Sequence, residues 1–177
     1  LRPQGYRIYS QPNKGMWCCV GTGMENHSKY GHFIYTHDGA KTLYVNLFTA
    51  SKLESNDFVI TQETNFPYEM QSKLTVGKEG DYAIAVRHPS WAEEGFFVTV
   101  NGEKVQNVNE TKGYVLLNRK WAVGDVVDIH MPAKLYIEEC PNYTDYIAFK
   151  YGPILLGASV SEKGEALQNE YAGEGNR

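Results

Sequence analysis

A chain of 177 residues can hold one domain with a well-formed core and part of another. Its 42% hydrophobic and 21% charged residues are the balance of a globular protein, which excludes disordered and fibrous classes. The net charge is −4 and Lys and Arg are scattered, so no basic stripe invites nucleic acid or anionic lipid, and no apolar run is long enough to cross a membrane as a helix. The chain opens on Leu1 rather than Met and is expected to be a piece of a longer protein; the lack of a signal-peptide pattern therefore says little about its compartment.

Residues 1–16 are rich in turn formers (Pro3, Gly5, Pro12, Asn13, Gly15) around a short extended run at 6–9, which predicts a loop or small hairpin. Two adjacent thiols follow, Cys18 and Cys19, directly before Gly21-Thr22-Gly23. Thr22 and Glu25 have the spacing of a capping box, which predicts Thr22 as N-cap and a helix from Met24 to about Thr36, stopped by Asp38-Gly39. Thiols beside a helix N-terminus feel its partial positive charge, which favours the nucleophilic, metal-binding thiolate.

After Gly39 the apolar period changes to two. Leu43, Val45 and Leu47 alternate with Tyr44, Asn46 and Phe48, the pattern of a strand covered on both faces. Further strands are expected at 58–61, 68–76, 82–86, 96–100, 114–117, 126–131, 134–138 and 146–156. Turns separate them, and Asn101-Gly102 carries the signal of a type I′ hairpin. Short strands with turns at this spacing indicate a mainly β protein built as an antiparallel sandwich. Residues 161–177, polar and rich in Gly and Glu, read as a tail or linker.

Several chemistries compete for these residues. Cys18, Cys19 and Cys140 are an odd set, and adjacent cysteines rarely bridge, so no disulfide framework is expected. The cysteine pair could be two small core hydrophobes or a reactive site, and the capped helix start favours reactivity; Cys140 reads as structural. Two thiolates do not complete a zinc site: His27 and Glu25 lie near in sequence, but Glu25 is better explained by capping and His27 by the helix surface. A Cys–His protease pair lacks its orienting residue, and the Gly-Thr-Gly loop is too short for a nucleotide fingerprint. Glu93 and Glu94 are neighbours on a loop without assignable acid and base roles. Trp91 and Trp121 could stack on sugars, although such residues more often fill a core or its rim.

The run Trp17-Cys18-Cys19-Val20-Gly21-Thr22-Gly23-Met24-Glu25-Asn26-His27-Ser28-Lys29-Tyr30-Gly31 resembles the cysteine-dependent β-L-arabinofuranosidases, glycoside hydrolase families 127 and 146. The resemblance continues through Leu43-Tyr44-Val45-Asn46-Leu47-Phe48, Arg87-His88-Pro89-Ser90-Trp91-Ala92, Val100-Asn101-Gly102, Arg119-Lys120-Trp121 and Ala148-Phe149-Lys150-Tyr151-Gly152-Pro153, over about residues 5–158. It implies a parent with an N-terminal (α/α)6 barrel and β-sandwich domains. Residues 1–38 would end the barrel with its last helix, 39–160 would form a jelly-roll-like β-sandwich, and 161–177 a tail.

The same resemblance implies Cys18 as nucleophile and Cys18 and Cys19 as ligands of a Zn2+ ion expected in the full-length enzyme. Two further ligands, a glutamate and a cysteine, and the acid/base glutamate would lie upstream in the missing barrel. It implies an arabinose-containing glycan as substrate, no nucleic-acid or membrane partner, and a periplasmic or extracellular setting. The 177-residue piece alone is expected to be inactive. The alternative is a non-catalytic sandwich that buttresses the barrel or binds carbohydrate.

Overall fold

The computed structural model describes residues 18–39, 41–92, 94–106 and 109–157. One helix, α1 (Cys18–Ile34), is followed by strands, and Tyr30–Leu156 form one compact unit. Expectations about residues 1–16 and 161–177 lie outside the described residues. Among the described residues no helix is long and apolar enough to cross a membrane.

The helix begins earlier and ends earlier than its sequence pattern suggests. Thr22 is not its N-cap: it lies inside α1 together with Gly21 and Gly23. Among the described residues, a Cβ at either glycine would meet nothing within 4 Å. At the other end Tyr35, Thr36 and His37 leave the helix for β1 (Tyr35–His37), pairing with Val45, Tyr44 and Leu43 of β2 (Thr42–Val45). Cross-strand hydrogen bonds outweigh the weak helical preference of this β-branched and aromatic run.

Two sheets make the sandwich. In the first, β1 and β2 continue into β6 (Gly80–Arg87), β10 (Tyr114–Trp121) and β9 (Asn109–Thr111). In the second, the order is β3 (Ser51–Glu54), β4 (Val59–Glu63), β5 (Gln71–Val76), β11 (Val126–His130), β7 (Phe97–Val100) and β8 (Glu103–Lys104). Among the described strands β2 and β6 form the one parallel pair; the other pairings are antiparallel.

Alternation decides which side chains enter the core. Leu43, Val45, Ile84, Val86, Val115 and Leu117 point inward from the first sheet, and Ile60, Leu74, Val76, Val98, Val127 and Ile129 from the second. Each such burial contributes about 1.5–3 kcal/mol before the ordering entropy is set against it. β2 is covered on one face and half-buried on the other, rather than covered on both. Phe48, beyond its end, turns into the core against Phe66. The strand expected at 68–76 starts only at Gln71, because Tyr68 N–H donates to Asn65 O in a turn that leaves Tyr68 exposed. At the expected hairpin, Asn101 and Gly102 both have positive φ (52° and 82°), the geometry of a type I′ turn.

A third, separate sheet holds β12 (Leu135–Cys140), β13 (Tyr143–Tyr151) and β14 (Ile154–Leu155). Leu135 and Ile137 oppose Tyr151 and Phe149, with Ile147 beside them, and all five are exposed. The opposite face carries Tyr136, Ala148 and Lys150, each half-buried. This sheet meets the sandwich at Gly152, where a Cβ would come within 2.8 Å of Ala133 Cβ and 3.2 Å of Trp91 Cε3.

Candidate active site

The first two residues of α1 are Cys18 and Cys19. Both cysteines are therefore helical, not part of a loop ahead of the helix.

Glu25 and His27, weighed as metal ligands from sequence, occupy exposed positions along α1. The backbone carbonyl of Glu25 accepts a bond from Ser28 Oγ at 2.7 Å. Among the described residues, no group of three or more His, Cys, Asp or Glu comes together in a way that could hold a metal ion. His37 Nδ1 lies 2.8 Å from Gly39 O, and His130 stacks on Phe97 with ring centroids 4.3 Å apart. His88 sits between two acceptors, its Nδ1 3.1 Å from Glu110 Oε2 and its Nε2 3.3 Å from Ala92 O. Cys140 is exposed at a bulge of β12.

Of the two neighbouring glutamates, Glu93 and Glu94, only Glu94 is among the described residues. Glu94 is bonded to Lys134, and that bond, reinforced by the lysine charge, holds its carboxyl below the usual range. A general acid needs the opposite shift. On the outer face of the second sheet Glu63, Lys73 and Asp128 stand in register beside a cleft of about 350 Å³. Lys73 is paired with Glu63 at 2.7 Å, an exposed ion pair of modest value.

The two tryptophans separate cleanly. Trp121 is 1% exposed, and its indole N–H donates to Tyr82 O at 3.0 Å. It is a core residue and cannot serve as a sugar platform. Trp91 is half-buried on a 3-10 turn, Ser90–Ala92, stacked on Phe66, and lines a cleft. Sequence pattern could not distinguish them, since each is an aromatic residue next to a turn.

Comparison with known proteins places this architecture. Residues 42–133, more than half of the chain, match the model of the β-L-arabinofuranosidase GH127 middle domain. The match ends just before β12, so the third sheet lies outside it. Among solved structures, a GH127 β-L-arabinofuranosidase from Geobacillus stearothermophilus T6 is 30% identical, with a TM-score of 0.67 over 78% of this chain and 23% of that one. A GH127 β-arabinofuranosidase is 23% identical, with a TM-score of 0.69 over 80% of this chain and 26% of that one. A structure described as a glycoside hydrolase is also 23% identical, at 0.72 over 88% and 28%. The last two show a shared fold. The chain spans about a quarter of the length of each of these relatives. No curated protein matches it.

Proposed function

The chain belongs to the GH127 β-L-arabinofuranosidase family, and we propose that it is the part of a retaining glycoside hydrolase that carries the cysteine nucleophile. One observation supports this reading above the others. Two consecutive cysteines lie on the helix that leads, through β1, into the GH127 middle domain. The substrate is an arabinofuranosyl glycan, in keeping with the similar enzyme from Geobacillus stearothermophilus.

In this mechanism the Cys18 thiolate attacks the anomeric carbon of the terminal sugar. A carbon–sulfur bond forms as the glycosidic carbon–oxygen bond breaks, and the leaving oxygen takes a proton from a carboxylic acid. The conjugate carboxylate then removes a proton from water, which displaces the sulfur from the opposite side. Two inversions give net retention. The acid is assigned to the N-terminal barrel of the parent enzyme, as the family resemblance implies.

Cys18 and Cys19 are thiolate donors of the kind that suits zinc, and they supply two of the four ligands of a closed site. The other two are likewise assigned to the barrel. Bound zinc would keep both sulfurs deprotonated at neutral pH. The boundary expected at residue 38 moves back to Ile34, because Tyr35–His37 already pair in the sandwich, and Leu135–Leu155 form a sheet of their own beside it; the part up to Ile34 is assigned to the end of that barrel and 161–177 to a tail. The alternative, a β-structured part that buttresses the barrel, is supported by the exposed apolar face of the third sheet, Leu135, Ile137, Ile147 and Phe149. It accounts for the β structure but gives the cysteine pair no task.

The test is turnover by a full-length protein carrying Cys18→Ser. The account expects hydrolysis of a synthetic β-L-arabinofuranoside to vanish while the fold persists. Turnover within a few-fold of the parent would remove Cys18 from the mechanism.

A further inference from the structure

We infer that the cleft beside Trp91 is a binding site for a neutral oligosaccharide. It lies between the 3-10 turn and the third sheet, and its walls include Trp91, Tyr136, Glu94, Lys134 and Lys150. Its volume, about 430 Å³, is that of a small-molecule site.

The aromatic wall is held in place from three sides. Ala92 N–H donates to Pro89 O at 3.0 Å, closing the turn that carries Trp91. His88 reaches the same turn through Ala92 O and is itself stacked on Phe96, centroids 4.1 Å apart. Phe66 lies parallel to the indole at 6.1 Å and 21°. At Gly152 any side chain would collide with Ala133 and Trp91, so the backbone there passes close against the ring. A ring fixed in this way loses little entropy on binding. The part of the ring that lines the cleft, with Tyr136, offers aromatic surface to the slightly positive C–H groups of a sugar.

The polar groups set the charge of the ligand. Lys134 is bonded to Glu94, and Lys150 Nζ lies 2.7 Å from Glu138 Oε2 and 5.6 Å from the centre of the Tyr136 ring. Each cation has a carboxylate partner, so the cleft presents paired charges rather than a lone cation. It offers paired donors and acceptors beside an aromatic face, which is what a polyhydroxylated neutral molecule needs. The cleft beside Glu63 and Lys73 lacks the aromatic wall and carries several acidic groups, so it does not fit the same ligand. The choice of arabinose as the sugar rests on the proposed function; the existence of the site does not.

The experiment is calorimetric titration of the 177-residue chain with neutral arabino-oligosaccharides and, separately, with oligogalacturonate. Binding involves no turnover, so a failed nucleophile assignment and a failed binding site are read independently. The expected result is binding of the neutral ligand that weakens about tenfold in Trp91→Ala. Because Trp91 is half-buried, Lys150→Met serves as a second variant that keeps the aliphatic stem, and it too should bind measurably more weakly. Absence of neutral binding, preference for the acidic oligomer, or unchanged affinity in Lys150→Met would each overturn the site.

Discussion

Ser72 Oγ donates to Gln62 Oε1 at 3.1 Å inside the sandwich core, where both residues are buried. The amide nitrogen of Gln62 meanwhile lies 3.1 Å from Leu47 O, 2.8 Å from Thr49 O and 3.3 Å from Tyr35 Oη. One side chain thus ties β4 to β5, to the segment after β2, and to β1, the strand that continues the cysteine helix. Gln62→Leu removes every one of these bonds and strands the Ser72 hydroxyl. The expected loss is about 1–3 kcal/mol for each group left unpaired. A fall in the urea midpoint with an unchanged slope would show it.

Trp121 makes the corresponding bond on the other sheet, to Tyr82 O, with its ring 6.3 Å from that of Tyr82, which in turn meets Phe58 edge-on at 5.1 Å. Trp121→Phe keeps an aromatic ring and loses the donor. It should cost about 1–3 kcal/mol, read as a lower unfolding midpoint, and leave oligosaccharide binding unchanged.

Acid should weaken the turn pair at the sandwich's end. Ala122 N–H donates to Asp125 Oδ2 at 2.9 Å and Asn101 Nδ2 to Oδ1 at 2.9 Å, and these bonds, the backbone one first, hold the Asp125 carboxyl below its usual value. A folded-state pKa below the unfolded one gives stability that is present above the unfolded pKa and is lost as pH falls through the folded pKa. Asp125→Asn should therefore be less stable than the parent at pH 7, with the gap closing on acidification below the ordinary aspartate range. Denaturation midpoints across that range check it; a gap constant with pH would contradict it.

On the proposed reading, which assigns the acid and two metal ligands to the barrel, the 177-residue chain alone should release no arabinose from a synthetic β-L-arabinofuranoside. In the full-length protein Cys19→Ser should chiefly lower the zinc content after dialysis. A metal assay of the variant beside the parent reads this directly.

The β architecture was legible wherever apolar alternation was strong, as in Tyr82, Ile84 and Val86, and wherever a turn had unambiguous chemistry, as in Asn101-Gly102. It was not legible where partners far along the chain decide. Ser51–Glu54 has no apolar period and becomes a strand by pairing with β4. Tyr35–His37 reads as helix and becomes a strand through β2. The capping box at Thr22 and Glu25 misled because helix starts are fixed by backbone geometry, which this spacing only hints at. For the site, the cysteine pair stood out through its neighbours in sequence. The distinction between Trp91 and Trp121 needed burial, which no local pattern carries.

The central claim is that the sulfur of Cys18 bonds to the sugar. Peptide mass spectrometry of the full-length protein, after trapping with an arabinofuranose-like inactivator, tests it most directly. The account predicts a single glycosyl adduct on Cys18. An adduct on any other side chain, or full inactivation with Cys18 unmodified, would contradict it.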